Sequence, residues 1–258
     1  MKRQIRKWTL GLTATGLLCF VFLVGIVLNP SLLYAKKTTV GNYTIYHNTP
    51  LDENFLPRLD NAMELLKTSE LYDPNLKLDI CLNDGSLYPA LMVKLRGQAF
   101  GWGFYDKVVL MGNANCKDNF VEINGYKWNL TQLLTHEEIH CLQFHKFGLW
   151  KSNPIANHPD WKWEGYPEYV SRRNADQLDL TKNIAREIAQ ENLAKDGWAI
   201  GFSDSTIAPR DYYNAWLLIQ YCLDIKKMTY DNLLKDTISE QTTTTQMMNW
   251  FETQKINY

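Results

Sequence analysis

The chain has 258 residues, 45% of them hydrophobic and 13% aromatic, which is enough apolar mass for one large folded unit. The formal net charge of −1 shows none of the basic excess of a nucleic-acid-binding surface, so that class of partner is not expected. No tandem repeat is visible, and the threonine run Thr242–Thr245 is too short to be a low-complexity tract.

The N-terminus is organised by charge. Lys2, Arg3, Arg6 and Lys7 precede an uncharged stretch from Trp8 to Leu28. That stretch matches the roughly 20 residues a helix needs to cross a bilayer. A cleaved secretory signal is the rival reading, with Pro30 and Ala35 marking a cleavage region. Under either, the basic residues before the segment keep the N-terminus inside and deliver the remainder outside the cytoplasm. The expected organisation is therefore a basic tail over 1–7, an anchor or signal over 8–28, a linker over 29–42 and a folded domain over 43–258.

Within that domain, Tyr43–His47 alternates as a strand does, and Leu56–Leu71 carries apolar residues at helical spacing. Asp73-Pro74-Asn75 reads as a turn, Leu76–Leu82 as a strand and Tyr88–Leu95 as a short helix. Phe100–Met111 ends in the β-prone Val108-Val109-Leu110-Met111 and reads as one strand at a sheet edge. Leu130–Phe147 is periodic at helical spacing, with Asn129 or Thr131 as its cap and Gly148 as its stop. Trp150–Asp160 reads as a loop, and helices follow near Trp161–Asn174, Leu180–Lys195 and Asp211–Lys227, with one or two shorter ones in the tail. Strands crowd the first half and helices the second, an α+β plan. Cys81, Cys116, Cys141 and Cys222 allow zero, one or two bridges. Cys81 with Cys116 is the first pairing to test, and Cys141 reads as a small buried hydrophobe.

The chemistry sits in the Leu130–Phe147 helix, in His136-Glu137-Glu138-Ile139-His140. Histidines four apart share a helix face and can reach one metal ion, with Glu137 beside its open side. A third ligand should come from another element, and Glu164 is the candidate, in Glu164-Gly165-Tyr166-Pro167-Glu168-Tyr169. The pair of motifs, His136-Glu137-x-x-His140 followed by Glu164-Gly165-x-x-Glu168-Tyr169, resembles the gluzincin zinc metallopeptidases.

That resemblance implies a zincin-like, thermolysin-like α+β domain. An N-terminal mixed sheet would be followed by the active-site helix and a C-terminal helical subdomain, the whole preceded by the transmembrane segment. It implies one zinc ion held by His136, His140 and Glu164, with Glu137 as general base and a peptide or protein as substrate. It also implies that Glu168 orients a zinc histidine; a salt bridge to Arg172, at i+4, is the competing role. Tyr212, in Tyr212-Tyr213-Asn214-Ala215-Trp216, resembles the tyrosine that several gluzincins use as oxyanion donor, with Tyr213 as the alternative. An edge strand near Val108–Gly112 would take the substrate as an added strand. Proline is tolerated at position 167 if it falls in a helix's first turn. Arg172-Arg173 and Lys226-Lys227 read as solvated faces. His145 reads as an ordinary helix-end residue. The reading from a different class is a non-catalytic, zinc-stabilised domain that binds a peptide or wall component.

Overall fold

The computed structural model of the protein describes residues 2–152, 160–173, 177–193 and 197–255, with side chains from residue 12 onward except 191–193 and 255. The alternating segment forms strand β2 (Tyr43–His47), paired antiparallel with β1 (Lys36–Val40), which lies in the expected linker. Helix α2 (Phe55–Leu66) stops before Leu71. Ser69 Oγ takes the Leu71 N–H at 3.0 Å, a local bond that competes with helix continuation. β3 (Leu78–Cys81) pairs parallel with β2, and α3 (Leu87–Arg96) starts where Ser86 Oγ accepts from Tyr88 N.

The single edge strand expected over Phe100–Met111 is instead a hairpin. β4 (Gly101–Phe104) turns at Tyr105, whose φ is 52°, into β5 (Lys107–Leu110). The sheet order is β1-β2-β3-β5-β4, so Val108 and its neighbours are interior and β4 is the edge. The reason is burial: Val108, Val109 and Leu110 are apolar on both faces, which suits a strand covered on both sides. A smaller antiparallel sheet follows, β6 (Asn113–Asn115), β7 (Phe120–Ile123) and β8 (Tyr126–Asn129), with Asn124-Gly125 turning the last hairpin at positive φ.

Helix α4 (Leu130–Phe147) begins at Asn129, whose side chain accepts from Gln132 N, and ends at Gly148 with φ 77°. A short α5 (Leu149–Ser152) occupies part of the expected loop; 153–159 lie outside the described residues. α6 (Trp161–Ser171) is capped by Asp160, and α7 (Leu180–Leu193) follows. The expected ends of these two, Asn174 and Lys195, lie outside the described residues. A two-stranded ribbon, β9 (Ala199–Gly201) and β10 (Ile207–Pro209), leads into α8 (Arg210–Gln220), which runs on through a π turn over Tyr221–Ile225. The tail holds α9 (Tyr230–Lys235) and α10 (Glu240–Lys255), the latter longer than expected.

The architecture is thus α+β, a mixed sheet followed by packed helices, with α4 between them. Leu133, Leu134 and Cys141 face the sheet side with Phe55, Ile80 and Val108, while Ile139 and Leu142 face the helical side with Tyr166, Trp216 and Phe251. Two glycines permit this. A Cβ at Gly103 would lie 2.1 Å from Glu137 O, and one at Gly165 would lie 2.5 Å from Ala215 O. Strand β4 therefore rests on the backbone of α4, and α6 on that of α8.

The five cysteines are free, so the Cys81–Cys116 pairing is not formed; the two pack in different apolar clusters. Helix α1 (Lys2–Leu28) contains the uncharged segment, with Leu17, Leu18, Phe20 and Phe22 exposed. Among the described residues no helix is long and apolar enough to cross a membrane. The side chains of residues 8–11 of the expected span lie outside the described ones.

Candidate metal centre

The helical spacing in α4 brings the two imidazoles together: His136 Nε2 and His140 Nε2 are 3.1 Å apart. Glu164, in the first turn of α6, places Oε2 3.1 Å from His140 Nε2 and 3.6 Å from His136 Nε2. A tetrahedral ion with bonds of about 2.0–2.1 Å needs ligand atoms about 3.3 Å apart. The triangle of two nitrogens and one carboxylate oxygen therefore has the spacing and the chemistry of a three-donor zinc site. Glu137 also falls within 4.8 Å of the histidine donor atoms. Its carboxylate is engaged elsewhere, and Glu164 is the closer third donor.

The far side of each imidazole fixes its orientation. His140 Nδ1 donates to Gln143 Oε1 at 2.8 Å. Gln143 Nε2 in turn donates to Trp163 O at 2.9 Å and Tyr230 Oη at 2.8 Å. His136 Nδ1 lies 2.9 Å from Glu168 Oε1, paired by charge though off the line of a full hydrogen bond. Burial opposes the charged form of His136, but bonding to Glu164 and Glu168 outweighs it and raises the group to about 10. Burial would likewise raise Glu164, yet the His140 and His136 charges hold it well below the usual carboxylate range.

Glu168 touches both of its expected partners, His136 and Arg172. It is fully buried, and its Oε2 also accepts from Arg172 Nε. Arg172 is 1% exposed, which corrects the expectation of a solvated residue. Its guanidinium lies over Phe202 at 4.9 Å and Trp216 at 5.6 Å, and Nη1 donates to Gln132 Oε1 at 2.9 Å. Arg173, by contrast, is part-exposed against Asp224, and Lys226 and Lys227 are exposed. Pro167 falls in the second turn of α6, not the first, and the helix runs on through it, so Glu168 keeps its place.

Glu137 Oε2 accepts from Gly103 N at 2.6 Å, which puts the carboxylate against the edge strand. Burial raises its pKa, opposed by the His136 and His140 charges. Glu138 points the other way, accepting from Tyr43 Oη at 3.2 Å, and burial lifts it to about 8. Tyr212 faces the site, its ring 5.8 Å from that of His136 and 6.0 Å from Trp128. The nearby Glu164 charge and burial push its phenol pKa well up. Tyr213 is buried elsewhere and donates to Asn183 O at 2.9 Å. His145 is exposed and stacked on Tyr105.

A cleft of about 400 Å³ opens beside His136, Glu137, Gly101 and Tyr212. Its other walls are Phe100, Ile123, Tyr126, Trp128, Leu133 and Trp198, and Tyr126 meets Trp198 edge-on at 4.7 Å. The sequence reading missed Gln143, Gln132, Gly103 and this aromatic wall. Gln143 had a signal, since it follows His140 at the i+3 spacing that shares a helix face. No family model, no curated protein and no solved structure matches the chain.

Proposed function

We propose that the protein is a zinc-dependent peptidase of gluzincin type. The observation that carries this reading is the donor triangle of His136, His140 and Glu164, with separations of 3.1, 3.1 and 3.6 Å. His136, His140 and Glu164 would hold the zinc ion, which would supply Lewis-acid chemistry and lower the pKa of a water to near 7. The chain's own groups supply the rest. Glu137 takes the proton of the attacking water and returns it to the departing nitrogen, while Gly103 N–H holds its carboxylate in place. Tyr212 donates its phenol hydrogen to the oxygen that gains charge.

The substrate backbone adds to β4. Phe100 O accepts from Met111 N, so by strand alternation the backbone groups of Gly101 and Gly103 turn outward, away from β5; Gly103 N–H is given to Glu137, which leaves the Gly101 groups and Gly103 O as the edge for a substrate strand. The uncharged cleft wall then takes a bulky apolar side chain. We place this domain outside the cytoplasm on a tether at residues 8–28. Support comes from the uncharged stretch and from the exposed apolar side chains of α1, which have lipid as their favourable surroundings. Release of the full chain from membranes by alkaline carbonate, without detergent, would refute the tether.

The test of the activity is metal analysis joined to peptide-library cleavage by the detergent-purified chain. The parent should carry about one zinc per chain and cleave peptides. Glu137→Ala should keep the zinc and lose most hydrolysis. A zinc-free parent, or a fully active Glu137→Ala, would overturn the proposal. Zinc without cleavage of any peptide would point to a zinc-stabilised binding domain instead.

A further inference from the structure

Pro167 sits in the interior of α6, where proline removes the N–H that would bond the carbonyl four residues back. That carbonyl belongs to Trp163, and it is not left idle. It accepts from Gln143 Nε2 at 2.9 Å. The second hydrogen of the same amide goes to Tyr230 Oη at 2.8 Å, and Tyr230 Oη donates onward to Lys162 O at 3.2 Å. Tyr230 is itself clamped, its ring stacked on Tyr166 at 3.7 Å and 9°.

These partners leave Gln143 one orientation. A backbone carbonyl only accepts, so the nitrogen end of the amide must face Trp163 and the oxygen end must face His140. His140 Nδ1, 2.8 Å from that oxygen, must then be the donor. The other ring nitrogen, Nε2, is left with its lone pair toward Glu164 and His136. A flipped amide would set two acceptors, Gln143 Oε1 and Trp163 O, against each other in a buried place, and such unmet groups are costly.

We infer that Pro167, Gln143 and Tyr230 form a lock that holds His140 in its metal-binding tautomer and orientation, with Pro167 acting by leaving the Trp163 carbonyl free. All three are positioning residues. The lock makes the two histidines unequal: His136 leans on the charged Glu168–Arg172 pair, His140 on a neutral amide. The inference rests on the metal reading above but not on the peptidase activity.

The experiment is a zinc-affinity measurement by chelator competition on the full chain, with the cobalt-substituted absorption spectrum beside it. Gln143→Leu removes the amide, and Pro167→Ala restores an N–H that competes for Trp163 O. Both should weaken zinc binding, by about 10–100-fold for Gln143→Leu and about 10-fold for Pro167→Ala, and shift the cobalt bands. Alanine favours helix interiors over proline, so Pro167→Ala should melt no lower than the parent when metal-free. Weaker metal in a protein at least as stable is a result that a merely structural proline would not give. Affinity within about threefold of the parent in either variant would overturn the lock while leaving the metal site standing. A parent that binds no zinc would overturn both.

Discussion

The substitution Gly103→Ala tests the contact on which the site's geometry depends. The added methyl would lie 2.1 Å from Glu137 O and 2.9 Å from Glu137 Cα, where ordinary contact begins at 3.4 Å. Strand and helix must part by about 1.3 Å, the difference between 3.4 and 2.1 Å. Overpacking of this kind costs about 1–3 kcal/mol. For a chain of this length that lowers the melting temperature by roughly 2–12 °C. The same shift stretches the 2.6 Å bond from Gly103 N to Glu137 Oε2 beyond hydrogen-bonding range. Misplacing a catalytic group by this much costs about 100-fold in rate. Calorimetry, zinc analysis and peptide hydrolysis on the same preparation give the three readouts, with zinc content expected unchanged. Gly201→Ala is the control, because its nearest neighbour is Gln190 Oε1 at 3.9 Å. A Gly103→Ala protein that melts with the parent and hydrolyses at the parent's rate would refute the close approach of β4 to α4.

Tyr212→Phe should lower kcat by about 100-fold with zinc content and KM little changed, and steady-state kinetics at parental rate would remove Tyr212 from the mechanism. Arg172→Met leaves the fully buried Glu168 without its cation and should cost about 3–5 kcal/mol in denaturant unfolding. Pairing it with Glu168→Gln should recover part of that loss; a double variant no better than the single would show that the cation's role is packing alone. Chelation should lower the melting temperature and zinc should restore it, by about 4 kcal/mol at a thousandfold excess over Kd. A melting curve indifferent to chelator would count against the site.

The elements legible in the sequence are those whose period and caps agree. Asn129 and Gly148 bound α4 as expected because each meets a local backbone need that no distant residue alters. The β4–β5 hairpin escaped because its turn uses Tyr105 at φ 52°, where glycine or asparagine would have announced it. The small sheet carried its own signal in Asn124-Gly125, between the alternating residues of β7 and β8. The convergence of His136 and His140 was legible because residues four apart on a helix share a face; that Glu164 of another helix meets them was suggested only by the paired motifs. What holds the donors was less so. Arg172 reads as a surface residue until α6 is known to lie between α4 and α8, and only the bare backbone at Gly165 hints at that.

The burial of α4 bears on whether the pentapeptide is a site or an accident of spelling. Gln132, His136, Glu137, Glu138 and Gln143 all lie in its buried surface. A helix packed on both sides is most stable when apolar, and replacing buried ion pairs by well-packed hydrophobes is often stabilising by about 1–4 kcal/mol. Selection for stability alone would have emptied this helix of charge. Gln132, His136 and Gln143 are instead joined with His140 into one connected set, in which Glu168 and Gln143 orient the two histidines and Arg172, Trp163 and Tyr230 orient those in turn. The set converges on three donor atoms, His136 Nε2, His140 Nε2 and Glu164 Oε2. A polar network that costs stability and converges on one donor triangle is what the proposed metal site would account for.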